Sequence, residues 1–307
     1  MEELGRFAPT PSGRMHLGNV FSALMAWLSA RAAGGKLLLR IEDLDTARCP
    51  RENEDQLRRD LEWLGLTWDA EQPRQSERTA YYESVLETLR RTGRVFPCWC
   101  TRGDLKSAPN APHASDGHPI YPGTCWDLTA EQRARRAAER PPLWRLRVPD
   151  ETVTFTDGHY GVYAENLAAE CGDFILRRAD GVFAYQLAVV AADMAAGVTQ
   201  VVRGRDLLSS TPRQLYLYSL LGAAAPRYYH IPLLTAPDGR RLSKRDKDLD
   251  LGVLRQRYTA PEIIGILAHA AGLTEEYFPC SPGDLTSRFE WDRIAKDDIA
   301  VELPKSV

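Results

Sequence analysis

The segment "RFAPTPSGRMHLGNVFSALMAWL", residues 6–28, constrains the fold more than any other part of the chain. Prolines and glycines interrupt it before Leu17, and from Leu17 onward apolar residues recur every three or four positions, as they do on the buried face of a helix. The short apolar stretch before the interruption predicts a strand. A strand that turns sharply into a helix is typical of a doubly wound α/β fold.

The following segments repeat this alternation. "KLLLRIEDLD" predicts a strand buried in a parallel sheet and ending on acidic residues, and helices are predicted around Leu57 and Tyr82. The alternation breaks near residue 95 and resumes near 183. We therefore predict an α/β fold, a Rossmann-like doubly wound parallel sheet with an inserted subdomain and a short C-terminal helical subdomain. The predicted boundaries are 1–94 and 183–247 for the two halves of the Rossmann-like domain, 95–182 for the insertion and 248–307 for the helical subdomain.

The composition excludes several classes of protein. The chain has 307 residues, 44% of them hydrophobic, and a net charge of −3, so no overall basic field indicates nucleic acid, and RNA contacts would need local arginine clusters. It contains no membrane-length apolar run and no signal-peptide pattern at its start. We expect a cytoplasmic protein without a membrane partner. Because disulfides are rare in that compartment, the six cysteines need another explanation.

The loop between Phe7 and Leu17 has the features of a phosphate site. A loop that leaves a strand and enters a helix directs backbone N–H groups and the positive helix end toward one point. His16 can add a hydrogen bond to a phosphate oxygen, and Gly18 permits close approach of the nucleotide. The alternative is an ordinary turn in which His16 only caps the helix.

A second basic segment, "RRLSKRDK", follows a predicted hairpin turn. Lys244 in this segment can neutralise charge that develops on a triphosphate. The alternative is a solvated basic loop. Two such elements on one α/β frame predict a nucleotide site more specifically than either does alone.

Several motifs resemble one enzyme family. "MHLGN" and "RLSKR" resemble the two signatures of class I aminoacyl-tRNA synthetases, and "RFAPTPSGRMHLGN", "LLLRIEDLDTAR", "AYQLAVVAAD" and "VVRGRDLLSSTPRQ" resemble the glutamyl and glutaminyl group. Asn19 stands where many members have a second histidine and Arg241 replaces a lysine, and both keep hydrogen-bond donors. The resemblance implies that His16 and Lys244 are catalytic. It implies ATP binding by Pro9, His16, Gly18, Asn19, Leu242, Ser243 and Lys244.

The same resemblance implies a pocket for glutamate. Arg6 and Arg203 would bind its two carboxylates, although which arginine takes which carboxylate is open, and Glu42 would bind its ammonium group. Each of these residues also has a structural alternative, as a surface ion pair, a strand-end charge or a core side chain. The implied glutamate-binding residues are Arg6, Phe7, Ala8, Pro9, Thr10, Glu42, Tyr185 and Arg203.

Three of the cysteines form a cluster in the sequence. Cys98, Cys100 and Cys125, together with Tyr121, resemble the zinc site of the short members of this family, which implies one structural Zn²⁺. A phenol is an unusual zinc ligand, so His113 and His118 are alternatives for the fourth position. Three unmetallated thiols are a further alternative. Cys49, Cys171 and Cys280 lie far apart in the sequence and are expected to be ordinary thiols.

The short stretch after Lys247 leaves no room for the anticodon-reading region of complete glutamyl-tRNA synthetases. In this the chain resembles the glutamyl-queuosine tRNA(Asp) synthetases, which implies a monomer acting on ATP with Mg²⁺, L-glutamate and queuosine-containing tRNA(Asp). Three alternatives stay open: charging of a tRNA 3′ end, a non-catalytic tRNA-binding paralogue, and glutaminyl specificity. The tRNA would lie on a basic helix face, unless that face is merely solvated. The face consists of Arg133, Arg135, Arg136 and Arg140.

Overall fold

The computed structural model describes residues 2–106, 120–236, 250–301 and 303. Its strands are β1 (Leu4–Phe7), β2 (Lys36–Leu39), β3 (Ala70–Glu71), β4 (Val95–Cys98), β5 (Leu143–Leu146), β6 (Thr152–Asp157), β7 (Gly161–Asn166), β8 (Phe174–Arg177), β9 (Gln200–Gly204), β10 (Arg227–Ile231), β11 (Leu234–Thr235) and β12 (Ile299–Ala300). Its α-helices are α1 (Leu17–Ala32), α2 (Arg51–Trp63), α3 (Thr79–Arg91), α4 (Arg102–Lys106), α5 (Ala130–Glu139), α6 (Tyr185–Ala196), α7 (Thr211–Leu220), α8 (Leu251–Leu254), α9 (Ala260–Ala270) and α10 (Pro282–Leu285).

A parallel sheet lies at the centre of the fold. β1 pairs with β2, β2 with β3, and β9 with β10, each pair in parallel. The backbone N–H of Thr199 donates to the carbonyl of Leu4 at 2.9 Å, which places β9 beside β1. The chain therefore proceeds outward from β1 in one direction through β2 and β3, and in the other through β9 and β10. Such a reversal opens a crevice at the carboxyl ends of the strands, and the α/β prediction is confirmed.

Helix α1 carries the apolar stripe that the sequence predicted. Leu17, Val20, Leu24 and Leu28 are each no more than 1% exposed in the main core. The helix packs against β1, β2 and β9. It ends before Gly34, whose φ of +67° an L-residue rarely adopts. This packing holds the N-terminus of α1 beside the end of β1.

Residues from β4 to β8 form a separate arrangement of strands. β4, β5 and β8 make an antiparallel sheet, and β6 and β7 make an antiparallel hairpin. The turn of the hairpin contacts the parallel sheet, because a Cβ added at Gly158 would lie 2.0 Å from the Tyr229 ring. The change from parallel to antiparallel pairing agrees with an insertion, while the domain boundaries stay a prediction.

Three local expectations were wrong or incomplete. The strand predicted within "KLLLRIEDLD" ends at Leu39, and the Arg40 and Glu42 side chains that follow it form a buried ion pair. The predicted C-terminal helical subdomain begins with a single helical turn, α8, and its longer helix is α9. The C-terminal part is not purely helical, since β12 pairs in parallel with β11. Among the described residues no helix combines the length and apolarity that crossing a membrane requires.

Candidate active site

His16 caps the N-terminus of α1. Its Nδ1 accepts the N–H of Gly18 at 3.1 Å, and the side chain of Asn19 accepts the N–H of His16 at 3.2 Å. An accepting Nδ1 places the imidazole proton on Nε2, which makes Nε2 a hydrogen-bond donor. His16 can therefore cap the helix through Nδ1 and still donate a hydrogen bond to a phosphate oxygen through Nε2. The cap fixes the tautomer that such a bond to phosphate would require.

Gly18 has a structural role beside the one expected from the sequence. A Cβ at this position would lie 3.0 Å from Cε1 and 3.1 Å from Nδ1 of His16. The absence of a side chain thus lets the imidazole fold over the first helical turn.

A cavity of about 440 Å³ lies at the crevice between β1 and β9. It is lined both by the N-terminal region of α1 and by the charged side chains at the strand ends. Its size and mixed lining are typical of small-molecule sites. The cavity brings together the following residues that the sequence proposed for ATP or glutamate: Arg6, Phe7, Ala8, Pro9, Thr10, His16, Gly18, Asn19, Glu42, Tyr185 and Arg203.

Glu42 and Arg6 belong to a buried charge network. Oε1 of Glu42 accepts from Arg40 at 3.0 Å and from Gln75 at 3.3 Å. Asp193 on α6 pairs with Arg40 and lies 3.6 Å from Nε of Arg6. Burial raises the pKa of Glu42, and the positive charges of Arg40 and Arg6 oppose that rise. The acid at the floor of the cavity is thus balanced by neighbouring guanidinium groups.

Arg203 is held more tightly than Arg6. Within the described residues its guanidinium donates to His230, Gln214, Thr211 and the carbonyl of Leu207, at 2.7–3.2 Å. These bonds use four of the five N–H donors of an arginine. Among the described residues the Arg6 side chain makes one hydrogen bond, to the carbonyl of Val202 at 3.3 Å. Arg6 therefore offers more donors to a ligand than Arg203 does.

Tyr185, the first residue of α6, contributes a partly buried phenol to the cavity wall. Burial raises the pKa of this phenol, although the nearby charge of Arg203 lowers it. The hydroxyl is therefore a neutral hydrogen-bond group at physiological pH.

Leu242, Ser243 and Lys244 lie outside the described residues. The first described residue after them, Asp250, forms a β-bridge with His16, and the N–H of Leu251 donates to the carbonyl of Met15 at 3.0 Å. The chain that follows the second signature is thus attached to the first signature.

Asp60 strengthens this attachment. Its fully buried carboxylate accepts from Arg14 at 3.1 Å and from Arg255 at 2.8 Å. Arg14 belongs to the first signature loop and Arg255 follows α8. One carboxylate therefore connects the two segments.

The cysteine cluster forms as the sequence predicted. Ligand atoms of Cys98, Cys100 and Cys125 lie within 4.8 Å of one another, and Sγ of Cys100 is 3.7 Å from Sγ of Cys125. Two sulfurs bound to one tetrahedral zinc at about 2.3 Å lie about 3.8 Å apart. The cluster can therefore hold a metal ion of this kind.

Tyr121 completes the surroundings of the cluster. Its hydroxyl accepts the N–H of Cys125 at 2.6 Å and also interacts with the side chains of Cys125 and Cys98. The phenol oxygen of Tyr121 therefore lies beside Cys98 and Cys125 of the cluster. The alternative ligands His113 and His118 lie outside the described residues.

Most of the basic face of α5 is occupied by contacts within the protein. Arg133 donates to the carbonyl of Trp126 at 3.0 Å, Arg136 to Sγ of Cys125 at 3.8 Å, and Arg140 to the carbonyl of Trp99. These bonds fix α5 against the cysteine cluster. Arg135 is the member of the face for which the described residues show no such bond.

Sequence reasoning assigned no role to Arg40, Asp60, Asp193 or His230. Each is buried, with an exposed fraction of at most 1%. The signal that could have revealed them is an ionisable residue within an apolar stretch, as in "VVAADMAA" and "YYHIPLL". Such residues need charged or polar partners from distant segments.

Comparison with known proteins identifies similar chains. Residues 4–266 match the family described as tRNA synthetases class I (E and Q), catalytic domain. A protein of Nitratidesulfovibrio vulgaris called glutamyl-Q tRNA(Asp) synthetase is 50% identical over 291 residues, which cover 91% of this chain and 90% of that protein. A protein of the same name from Symbiobacterium thermophilum is 47% identical over 310 residues, covering 97% and 95%.

A solved structure is similar in fold. The crystal structure of a glutamate tRNA ligase from Elizabethkingia meningosepticum, in complex with its amino acid, matches with a TM-score of 0.85 and 24% identity. The match covers 98% of this chain and 67% of the other.

Proposed function

Because the chain belongs to the class I tRNA synthetases of the glutamate and glutamine group and is therefore a ligase, we propose that it activates L-glutamate with ATP and transfers it to queuosine at the wobble position of tRNA(Asp). The names of the relatives support this substrate. The observation that carries the activation step is the single cavity lined by the N-terminus of α1, by Arg6 and Arg203, and by Glu42.

Glutamate fits the charges of this cavity. Its two carboxylates require cations, and Arg6, with most of its donors uncommitted within the described residues, suits a two-bond contact. Arg203 has one N–H donor without a partner among the described residues, and it adds positive charge. Oε1 of Glu42 accepts from Arg40 and Gln75, so we assign Oε2 to the substrate ammonium group.

ATP would occupy the end of the cavity formed by α1. Backbone N–H groups, the positive helix end and the Nε2 proton of His16 favour phosphate there. Lys244 would reach the same phosphates, and the attachment of Asp250 to His16 supports this assignment. Mg²⁺ bound with ATP would supply further neutralisation of the phosphate charge.

The proposed reaction has two steps. An oxygen of the glutamate α-carboxylate attacks the α-phosphorus of ATP, and pyrophosphate leaves, giving glutamyl-adenylate. A hydroxyl of the queuosine cyclopentene ring then attacks the activated carbonyl, and AMP leaves. The protein acts mainly by positioning and by stabilising charge, and an oxygen of the adenylate phosphate can accept the hydroxyl proton.

The cysteine cluster would hold one structural zinc ion through Cys98, Cys100, Tyr121 and Cys125. A structural role suits its position, because no cysteine lines the cavity. The proposed substrates, ATP and tRNA, are those of a cytoplasmic enzyme, and we propose that it acts as a monomer.

Two measurements test the proposal. Exchange of pyrophosphate into ATP should depend on L-glutamate, and L-glutamine should not replace it. Labelled glutamate should then transfer to tRNA(Asp) that contains queuosine and not to the same tRNA without it. After nuclease cleavage, the label should travel with the anticodon fragment.

The alternatives give different results. Label on the 3′ fragment would indicate ordinary charging of a tRNA end. Pyrophosphate exchange that depends on L-glutamine would indicate a glutaminyl-specific enzyme. A protein that binds tRNA but shows no exchange with either amino acid would be a non-catalytic paralogue, and the proposal would be wrong.

A further inference from the structure

Three buried side chains form a chain of hydrogen bonds that ends at the cavity. Nδ1 of His230 lies 2.6 Å from Oδ2 of Asp157, and Nε of Arg203 donates to Nε2 of His230 at 3.0 Å. Asp157, His230 and Arg203 are 1%, 0% and 5% exposed. They come from β6, β10 and β9, so the bonds connect the antiparallel hairpin to the parallel sheet.

The direction of these bonds fixes one tautomer of His230. An arginine Nε–H can only donate, so Nε2 of His230 must accept. The imidazole proton therefore resides on Nδ1 and is donated to Asp157. Burial lowers the pKa of His230 to about 4, although the hydrogen bond to Asp157 opposes this. The ring is neutral at physiological pH and can hold this tautomer.

The other oxygen of Asp157 organises the hairpin turn. Oδ1 accepts the backbone N–H groups of His159, Tyr160 and His230, at 2.9–3.2 Å. Burial would raise the pKa of Asp157, but these bonds and His230 hold it below its usual value. The carboxylate is therefore ionised and fixed from both sides.

The turn is also fixed to the C-terminal part of the chain. The Tyr160 hydroxyl donates to the carbonyl of Lys296 at 2.6 Å, and the His159 ring lies 3.1 Å from the carbonyl of Ala295. Asp157 thus occupies a rigid junction of three segments, which is a suitable support for a binding residue.

We propose that Asp157 and His230 are positioning residues that orient the Arg203 guanidinium toward the amino-acid substrate. This inference rests on the proposed function, since it concerns the same pocket. Among the described residues Arg203 donates through Nε to His230 and through three further N–H groups to α7 and the segment before it, so one Nη1 donor is available to the cavity. The direction of that donor depends on the plane of the guanidinium, and the bond from Nε to His230 helps to set this plane.

The substitution Asp157→Asn tests the tautomer directly. If the Asn amide nitrogen faces His230, Nδ1 must accept, the ring proton moves to Nε2, and Nε2–H opposes the N–H of Arg203. If the amide flips, its nitrogen faces the three backbone N–H groups instead. Either orientation breaks the arrangement, and we expect KM for glutamate to rise roughly tenfold to a hundredfold, as for loss of a charged hydrogen bond. KM for ATP should stay within about twofold.

Variants of His230 and a matched control separate positioning from folding. His230→Gln can place its carbonyl oxygen near the Nε2 position and accept from Arg203, whereas the shorter His230→Asn cannot. We expect KM for glutamate to be closer to wild type in the Gln variant. Asp173→Asn is the control, because Asp173 also accepts a backbone N–H, from Val148 at 2.9 Å, but among the described residues it makes no bond to His230 or Arg203. Its KM for glutamate should equal that of wild type.

Nitrogen NMR of histidine-labelled protein adds a readout that does not depend on activity. The His230 signal, assigned by its loss in His230→Gln, should show a protonated Nδ1 in wild type. In Asp157→Asn it should show a protonated Nε2 if the amide nitrogen faces His230, and a protonated Nδ1 if the amide is flipped. A proton on Nε2 in wild type, or an unchanged glutamate KM in Asp157→Asn, would overturn the inference alone. Absence of glutamate-dependent exchange in wild type would overturn the proposed function and this inference together.

Discussion

At the scale of single residues, His16 shows how one side chain can serve folding and binding at once. Its Nδ1 caps α1 through the N–H of Gly18, and its Nε2 carries the proton that a phosphate would accept. Loss of an N-cap costs about 1 kcal/mol. The two roles use different atoms of the ring, so they can be separated by substitution.

We predict that His16→Asn keeps the cap but loses activity. Asparagine is a good N-cap, so the free energy of unfolding should change by less than about 0.5 kcal/mol. Glutamate-dependent pyrophosphate exchange should fall roughly a hundredfold to a thousandfold, as when one donor to transition-state charge is removed. His16→Ala should lose both stability and exchange. Urea unfolding and exchange rates of both variants check this, and full activity of the Asn variant would leave capping as the sole role of His16.

The lowered pKa of His230 leads to a separate prediction about how folding stability depends on pH. Asp157, Arg203, Tyr228, the Thr211 hydroxyl and the Leu207 carbonyl face its ring, and burial lowers its pKa to about 4. In the unfolded chain His230 becomes protonated below about pH 6.5. In the folded chain it becomes protonated only near pH 4, so between these two pH values the unfolded chain binds one more proton. Stability should therefore fall as pH decreases through this range, by about 3 kcal/mol from this residue.

Urea unfolding between pH 7 and pH 4 measures this dependence. His230→Gln, which cannot titrate at this position, should show a correspondingly flatter profile than wild type. Parallel profiles for wild type and His230→Gln would mean that His230 titrates normally in the folded state.

At the scale of elements, helices with a regular apolar pattern could be predicted from the sequence, and the contacts of polar helix faces could not. The apolar stripe of α1 predicted both the helix and its buried face, because the spacing of apolar residues within one segment determines which face can be buried. The basic face of α5 was predicted either to contact tRNA or to be solvated, and within the described residues Arg133, Arg136 and Arg140 bond to the protein. Partners of arginines depend on which distant carbonyls and sulfurs the fold brings near, and local spacing does not contain this information.

The cysteine cluster between β4 and α5 leads to a prediction about metal binding. The cysteine sulfurs and the Tyr121 hydroxyl converge there, so Tyr121→Phe should weaken zinc binding by roughly tenfold or more, since even the loss of a partner behind a metal ligand weakens metal binding by roughly tenfold to a hundredfold. Competition with a chromophoric chelator measures the affinity. Cys98→Ser should weaken it further, and Cys280→Ser, outside the cluster, should not change it. Unaltered zinc affinity in Tyr121→Phe would remove the tyrosine from the ligand set.

At the scale of the whole molecule, residues that the family resemblance implied line one cavity, whereas the buried groups that support them were not predicted. Arg6, Glu42 and Arg203 were predicted from the resemblance to known motifs, and all three line the cavity. Arg40, Asp193 and Asp157 were missed because their partners lie in distant segments of the chain, and a buried polar pair has no local pattern. The tertiary fold had to be known before these pairs could be seen.

Asp60 connects two segments that lie far apart in the sequence. It lies on α2, and it binds Arg14 from the first signature loop and Arg255 from the segment after the second signature. The carboxylate is fully buried, whereas both arginines are about one-third exposed. Because water can solvate the arginines when the negative charge is removed, the loss of folding stability should be smaller than for a fully buried ion pair. We predict that Asp60→Asn lowers the free energy of unfolding by about 2 kcal/mol. Because both signature segments lose a shared anchor, KM for ATP should rise more than KM for glutamate.

The helix itself supplies the control for this prediction. Asp55, also on α2, is 61% exposed and pairs with Arg58 alone among the described residues, so Asp55→Asn should leave both KM values and the stability near wild type. Urea unfolding and substrate-dependent exchange rates measure the two variants side by side. An Asp60→Asn protein that is less stable yet unchanged in KM for ATP would show that the anchor supports only the fold. A selective rise in KM for ATP would show that the two segments work as one nucleotide-binding unit, because a purely global loss of stability affects both substrates alike.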